Sequence, residues 1–369
     1  MLTVNPGLAG VVAFDTEIAE PDRAGGSLRY RGVDIRELAG VVSFAEVWGL
    51  LADGDFGRTL PGAEPYPIPV HSGDIRVDVQ AAVSMLAPYW GLRPLIDIDD
   101  PQAREDLARV SVMMLSYVAQ SARGSRLPSV PQRRVDQGRN ATERFMLRWQ
   151  GEPDPRHVAA IDRYWVCAAE HGMNASTFTA RVVASTGADV PTCLSAAVAA
   201  LSGPLHGGAP ARALGMIEDV ERGSDPRAYV RGILDSGKRL MGFGHAIYRA
   251  EDPRARILRD AARELGAPRY EVALELEKAA LAELRDRKPD RVLETNVEYW
   301  AAVVLDFAQV PAEMFAAMFT CARTAGWSAH ILEQKRLGKI IRPSADYVGP
   351  RSRSAAALPG WEDAVKRNS

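Results

Sequence analysis

The sequence predicts a mainly α-helical fold with one small N-terminal β-hairpin. Three observations carry that reading. Apolar residues recur with the period of a helix from Ser43 to about residue 335. Only one stretch ahead of them alternates as a strand does, and proline-rich connections cut the helical run into separate pieces.

Taken in order, GVVAFDTEIAEPDRAGGSLRYRG (10–32) reads as two short strands around a Pro/Gly turn. EDLARVSVMMLSYVAQSA (105–122) has apolar residues at 107, 110, 113, 114, 117 and 118, which is one helical face. Further helices are predicted over 157–170, 175–186, 191–202, 226–240, 253–265, 270–287, 297–309 and 311–335. The connections PGAEPYPIPVHSG, LPSVPQRR and GEPDPRH break the pattern between helices. About two-thirds of the chain is expected to be helical, with no internal repeat and no low-complexity tract. Glycine-lined loops between 203 and 252 suggest a hinge. They place a small helical domain at 208–309 within a larger one made of 1–207 and 310–369, the active site lying in the cleft between the two.

Composition narrows the function classes. At 369 residues, 47% hydrophobic and 25% charged, the chain is long enough for two domains and a large core. A formal net charge of −2 supplies no field for nucleic acid or an anionic membrane, so an anionic ligand must be held by locally placed cations. Most of those cations are arginines, whose planar fork suits carboxylates. Cys167, Cys193 and Cys321 are scattered through apolar stretches, which argues against disulfides and a zinc site and fits a reducing cytoplasm. MLTVNPGLAGVVAFD has neither a basic n-region nor a long apolar run, and no apolar stretch approaches the roughly 18 residues a membrane span needs.

Seven residues in sharp local settings could carry chemistry. His171 lies in EHGMNAST, His206 in GPLHGG and His245 in GFGHAIYR. An imidazole on backbone cleared of side chains is either a turn histidine or a hydrogen-bond donor to a ligand. None of the three has metal-ligand spacing, and GFGHA lacks the GxGxxG or GxxxxGK[ST] spacing of a nucleotide loop. Arg254 follows Asp252 and Pro253, a good N-cap and first residue, so it sits at the wrong end of the helix dipole. Solvent or a bound carboxylate would account for it. Arg323 is embedded in EMFAAMFTCARTAGWSAH, apolar nearly all round, and needs a carboxylate partner from the protein or a ligand. Glu298 can close a capping box with Thr295 or serve as a base at a helix start. Arg342, before a proline, is held extended and suits a projecting arm.

EHGMNAST, GPLHGG, GFGHAIYRAEDPRAR, NVEYW, CARTAGW and RPSADY, in this order, resemble the citrate synthase family in its short bacterial and archaeal form. The similarity runs nearly end to end, from GLAGVVAFDTEI to RPSADYVGP. It implies a two-domain helical enzyme that condenses acetyl-CoA with oxaloacetate and water to give citrate and CoA, with no cofactor and no metal. It implies that Glu298 takes the methyl proton, that His206 donates to the thioester carbonyl as the enol forms, and that His245 donates to the ketone of oxaloacetate. His171, Arg254 and Arg323 are the implied dicarboxylate set. Arg342 would reach a partner subunit's site, which makes the expected assembly a homodimer. Leu240, Met241, Gly242, Phe243, Gly244 and Ala246 form the implied seat of coenzyme A. Two alternatives share the motifs: a 2-methylcitrate synthase using propionyl-CoA, and a non-catalytic homologue binding CoA or a dicarboxylate. The chain departs from the family pattern at NVEYW, where aspartate is usual, and at EHG, where DHE is common. The added methylene of Glu298 moves its oxygens by about 1 Å, enough to cost on the order of 100-fold in rate unless the helix start recedes.

Overall fold

In the computed structural model, residues 4–8, 10–22, 26–203, 206, 209–245 and 247–367 are described. Among the described residues the fold is 59% helical, with 16 helices and one three-stranded sheet. It divides into two units, Met1–Asp15 with Ile341–Ser369, and Thr16–Ile340. The core and every candidate site residue except Arg342 belong to the second unit. No helix among the described residues is long and apolar enough to cross a membrane.

The expected hairpin is present as β1 (Ala19–Asp22) against β2 (Ser27–Tyr30), antiparallel, with Ala19 opposite Tyr30 and Asp22 opposite Ser27. A third strand, β3 (Val33–Asp34), adds to β2. At two residues it is too short for period-2 alternation to reveal it. Tyr30 anchors the sheet to the helical core, its hydroxyl donating to the carbonyls of Val166 at 3.0 Å and Glu170 at 3.1 Å.

Helix positions follow the sequence signals and their ends follow caps. The helix expected over 226–240 stops at Asp235 because Gly237 takes a left-handed φ of 73°, where helices end readily. That expected over 311–335 begins as a 3-10 turn, Ala312–Met314, and continues as Phe315–Leu337. Helices Phe44–Asp53, Ile75–Trp90, Ala141–Gln150 and Ala209–Glu221 and the short Ile35–Leu38, Gln132–Val135 and Trp361–Arg367 complete the set.

Phe315–Leu337 runs through the core, packed by Phe44–Asp53, Asp100–Arg123, Pro155–Ala168 and Ala175–Ala184. Gly326 lets one neighbour come very close: a Cβ there would lie 2.1 Å from the Glu170 carboxylate and 2.6 Å from the Ala169 carbonyl. That approach brings the end of Pro155–Ala168, and with it His171, beside Arg323 on the central helix. Pro253–Glu264 packs on Val297–Phe307, and both touch Pro155–Ala168. Four chain segments distant in sequence therefore meet at their helix ends.

Candidate active site

A cavity of about 190 Å³ opens where those ends meet. His171, His206, His245, Arg254, Glu298 and Arg323 all line it, joined by Tyr164, Asn174, Asn296 and Phe319. Ala168 and Ala301 form small apolar parts of the wall. Helix starts supply much of the scaffold. Asn174 caps Ala175–Ala184, Asp252 caps Pro253–Glu264 and Asn296 caps Val297–Phe307.

The surroundings favour the neutral form of all three imidazoles. Burial lowers the pKa of each, and the nearby arginines lower it further. His245 is brought to about 4. Its tautomer is defined by the backbone: Nδ1 accepts from the amide of Ile247 at 2.9 Å and that of Tyr248 at 3.3 Å, so the ring proton is on Nε2. That Nε2–H lies 3.4 Å from Nη2 of Arg254, which can only donate. Two donors facing each other do not bond, and an anionic oxygen in the cavity would satisfy both. His171 meets Tyr248 through Nε2 and Oη at 2.9 Å, and its ring stands edge-on to His245. His206 meets Ser176 through Nε2 and Oγ at 2.9 Å. Ser176 accepts from Trp327 Nε1 and also lies 2.9 Å from Asn174 Oδ1.

The two arginines differ. Arg254 already has a carboxylate partner, Asp252, which is 1% exposed. Asp252 Oδ1 accepts the amide and Nε of Arg254 at 3.0 Å each, and Oδ2 accepts Nη2 at 2.8 Å and the Val297 amide at 3.1 Å. One carboxylate thus caps a helix, clamps a guanidinium and ties down the next helix start. Local sequence pointed to Asp252 as a cap; its second function required knowing that Val297 is adjacent. Arg323, 3% exposed, has no hydrogen-bond partner for Nε or Nη1 among the described residues. Its guanidinium stacks on Phe319, 4.7 Å from the ring centre, and burial depresses its pKa against the pull of Glu170.

Glu298 corrects one expectation. The helix cap is Asn296, whose Oδ1 accepts the Glu298 amide at 3.0 Å, and Thr295 Oγ1 is left without a partner among the described residues. There is no capping box with Thr295, and the Glu298 side chain is left to line the cavity. Burial, opposed by Arg254, raises its pKa. A carboxylate poised above its ordinary range is a suitable proton acceptor from carbon.

A second cavity, about 560 Å³, shares His245, Asn296 and Glu298 with the first. Leu240, Met241, Gly242, Phe243 and Gly244 line it, with Lys238, Arg239, Lys288 and Arg291. Gly242 and Gly244 have φ of 84° and 82°, and a Cβ on Gly242 would lie 2.8 Å from that of Tyr299. The loop is stitched to the segment before Val297 by Gly244 N to Glu294 O, Asn296 N to Gly242 O and Asn296 Nδ2 to Gly244 O. Ala246, the last expected member, lies outside the described residues. Arg342 is exposed in the terminal unit. Among the described residues no group of three or more His, Cys, Asp or Glu could hold a metal ion.

Residues 7–344 match the family model described as citrate synthase, C-terminal domain. The chain belongs to the citrate synthase family. It is an acyltransferase by that membership. It is 70% identical to a Mycobacterium tuberculosis protein named "Putative citrate synthase 2", over 97% of this chain and 96% of that one. Identity is 35% to the citrate synthase of Synechocystis (98% and 95% covered) and 32% to the 2-methylcitrate synthase of Shewanella oneidensis (95% and 96%). The citrate synthase of Thermoplasma acidophilum, solved as a ternary complex with carboxymethyl coenzyme A and oxaloacetate, superposes with a TM-score of 0.78 at 25% identity, over 98% of this chain and 99% of that one.

Proposed function

We propose that this citrate synthase family member condenses acetyl-CoA with oxaloacetate and water to give citrate and CoA. The observation that carries the reading is the pair of converging donors, His245 Nε2–H and Arg254 Nη2, in a cavity that also holds His206 and Glu298. Glu298 takes a proton from the acetyl methyl. His206 donates to the thioester oxygen as the enol forms. A thioester methyl is a very weak acid, so the carboxylate needs this help at the oxygen. The enol carbon attacks the ketone of oxaloacetate, and His245 protonates the alkoxide. Water then cleaves the citryl thioester, releasing CoA thiol and making the sequence irreversible in practice.

His171, Arg254 and Arg323 are assigned to the dicarboxylate. Arg323, with donors that no described protein group takes up, is the strongest anchor for a carboxylate. The loop 240–246 and the four cations beside it are assigned to coenzyme A, whose phosphates need positive partners. Domain closure of 208–309 on 1–207 with 310–369 would exclude water from the joined cavities. The assembly is assigned as a homodimer working in the cytoplasm, Arg342 reaching the site of a partner subunit. Three buried free cysteines fit that compartment.

A second reading, 2-methylcitrate synthesis from propionyl-CoA, is favoured by the methyl-sized Ala168 and Ala301 in the cavity wall and by the resemblance to the Shewanella enzyme. Release of CoA thiol with oxaloacetate separates the two: kcat/KM is compared for acetyl-CoA and propionyl-CoA on one preparation. Acetyl-CoA is expected to win. Preference for propionyl-CoA overturns the first reading in favour of the second. No release with either, alongside intact ligand binding, makes the chain a non-catalytic homologue.

A further inference from the structure

We propose that Tyr164 is a substrate-binding residue whose hydroxyl donates a hydrogen bond to the dicarboxylate's carboxylate held by Arg323; this rests on the functional reading above. Tyr164 sits on the helix Pro155–Ala168, one turn before its end, and Ala168 and His171 follow it on the same side toward the cavity. The methyl of Ala168 leaves the tyrosine ring room to reach the cavity wall.

The ring is packed away, leaving the residue 3% exposed. Its hydroxyl nonetheless bonds no protein group among the described residues, and it is not one of the sealed-off polar atoms. Its open side is the cavity that it lines. Three other deeply buried tyrosines are partnered, whereas Tyr117, 1% exposed, likewise bonds no protein group among the described residues but lies away from the cavity lining. Tyr30 donates to backbone carbonyls, Tyr299 donates to the Ala273 carbonyl at 2.7 Å and Tyr248 bonds His171. A buried tyrosine hydroxyl ordinarily finds a partner, so this one is kept for something that enters.

The surroundings say what enters. Burial keeps the phenol protonated, and Arg323, Glu298 and Arg254 line the same cavity as Tyr164. A protonated hydroxyl cannot bond a guanidinium, which has no acceptor. Both are donors, and a bound carboxylate oxygen accepts from both. Tyr164 would then select for 2-oxo acids that carry a second carboxylate at this end.

Tyr164→Phe removes the hydroxyl and nothing else. We expect oxaloacetate affinity, measured by calorimetry, to fall about tenfold or more, as for loss of a hydrogen bond to a charged group. KM for the acyl-CoA should stay within twofold and the melting temperature should be unchanged, since no protein bond is lost. Unchanged oxaloacetate affinity overturns the proposal, as does unchanged affinity with a shifted pH profile of kcat, which would assign the hydroxyl to Glu298. A lowered melting temperature also overturns it, by revealing a structural partner. Wild-type protein that binds no oxaloacetate overturns the functional reading itself, and Tyr164's role with it; failure of the Tyr164→Phe prediction beside normal wild-type binding overturns only the latter.

Discussion

Asp252→Asn should damage fold and site together, by an amount that can be worked from four bonds. Each carboxylate oxygen of Asp252 accepts two N–H groups, with Oδ1 serving Arg254 N and Nε and Oδ2 serving Arg254 Nη2 and the Val297 amide. An asparagine has one oxygen. Whichever way its amide is turned, two of the four donors meet an NH₂ that can only donate. Arg254, 3% exposed, is left as a buried cation without its counter-charge. Breaking a buried pair in this way costs about 3–5 kcal/mol. Urea unfolding at fixed protein concentration should report a loss of that size, with a matching fall in dicarboxylate affinity because the guanidinium is no longer aimed. A loss below about 1 kcal/mol would refute the reasoning, since it would mean that water or another acid already shares the charge.

Three further outcomes are expected. His206→Ala or Glu298→Ala should abolish CoA thiol release while oxaloacetate binding by calorimetry is largely kept; near-normal turnover in either variant would remove that residue from its assigned role. Arg323→Ala should weaken dicarboxylate binding by at least about 2 kcal/mol, because charge-assisted bonds are lost, and unchanged affinity would count against it. Asp162 offers a test by pH. Burial raises its pKa to about 6, and its Oδ1 accepts the Phe44 amide and the Thr142 hydroxyl. The folded protein therefore favours the protonated form, so this group's contribution is greatest in acid and is lost as pH rises from about 4 through 6. Asp162→Asn keeps an oxygen for both donors and escapes that loss. Its stability relative to wild type, from urea midpoints, should increase by about 2 kcal/mol between pH 4 and pH 8. A pH-independent difference would contradict the assignment.

Much of the architecture was legible in the chain alone, for local reasons. Helical periodicity, proline breaks and Asn or Asp caps are properties of a few neighbouring residues, so the helices stand where the pattern put them and the hairpin falls where alternation occurs. Arg323 was legible too, because a guanidinium in an apolar helix demands a partner wherever that helix is buried. The order of the motifs pointed to the family before any contact was known.

What the chain alone left open were the relations between segments. Thr295 and Asn296 are both plausible caps, and only the packing of 242–244 against 294–296 selected Asn296 and freed Glu298. The tautomer of His245 depends on two amides that reach Nδ1 after the loop has folded back. Asp252 read as a cap and became a clamp because the start of another helix lies against it. Tyr164 carried no motif, and its hydroxyl gains meaning from being the buried donor that the fold leaves open to the cavity. Sequence spacing sets which groups share one helix face. Electrostatic and hydrogen-bonding roles depend on distances between elements, and those are decided only when the helix ends converge.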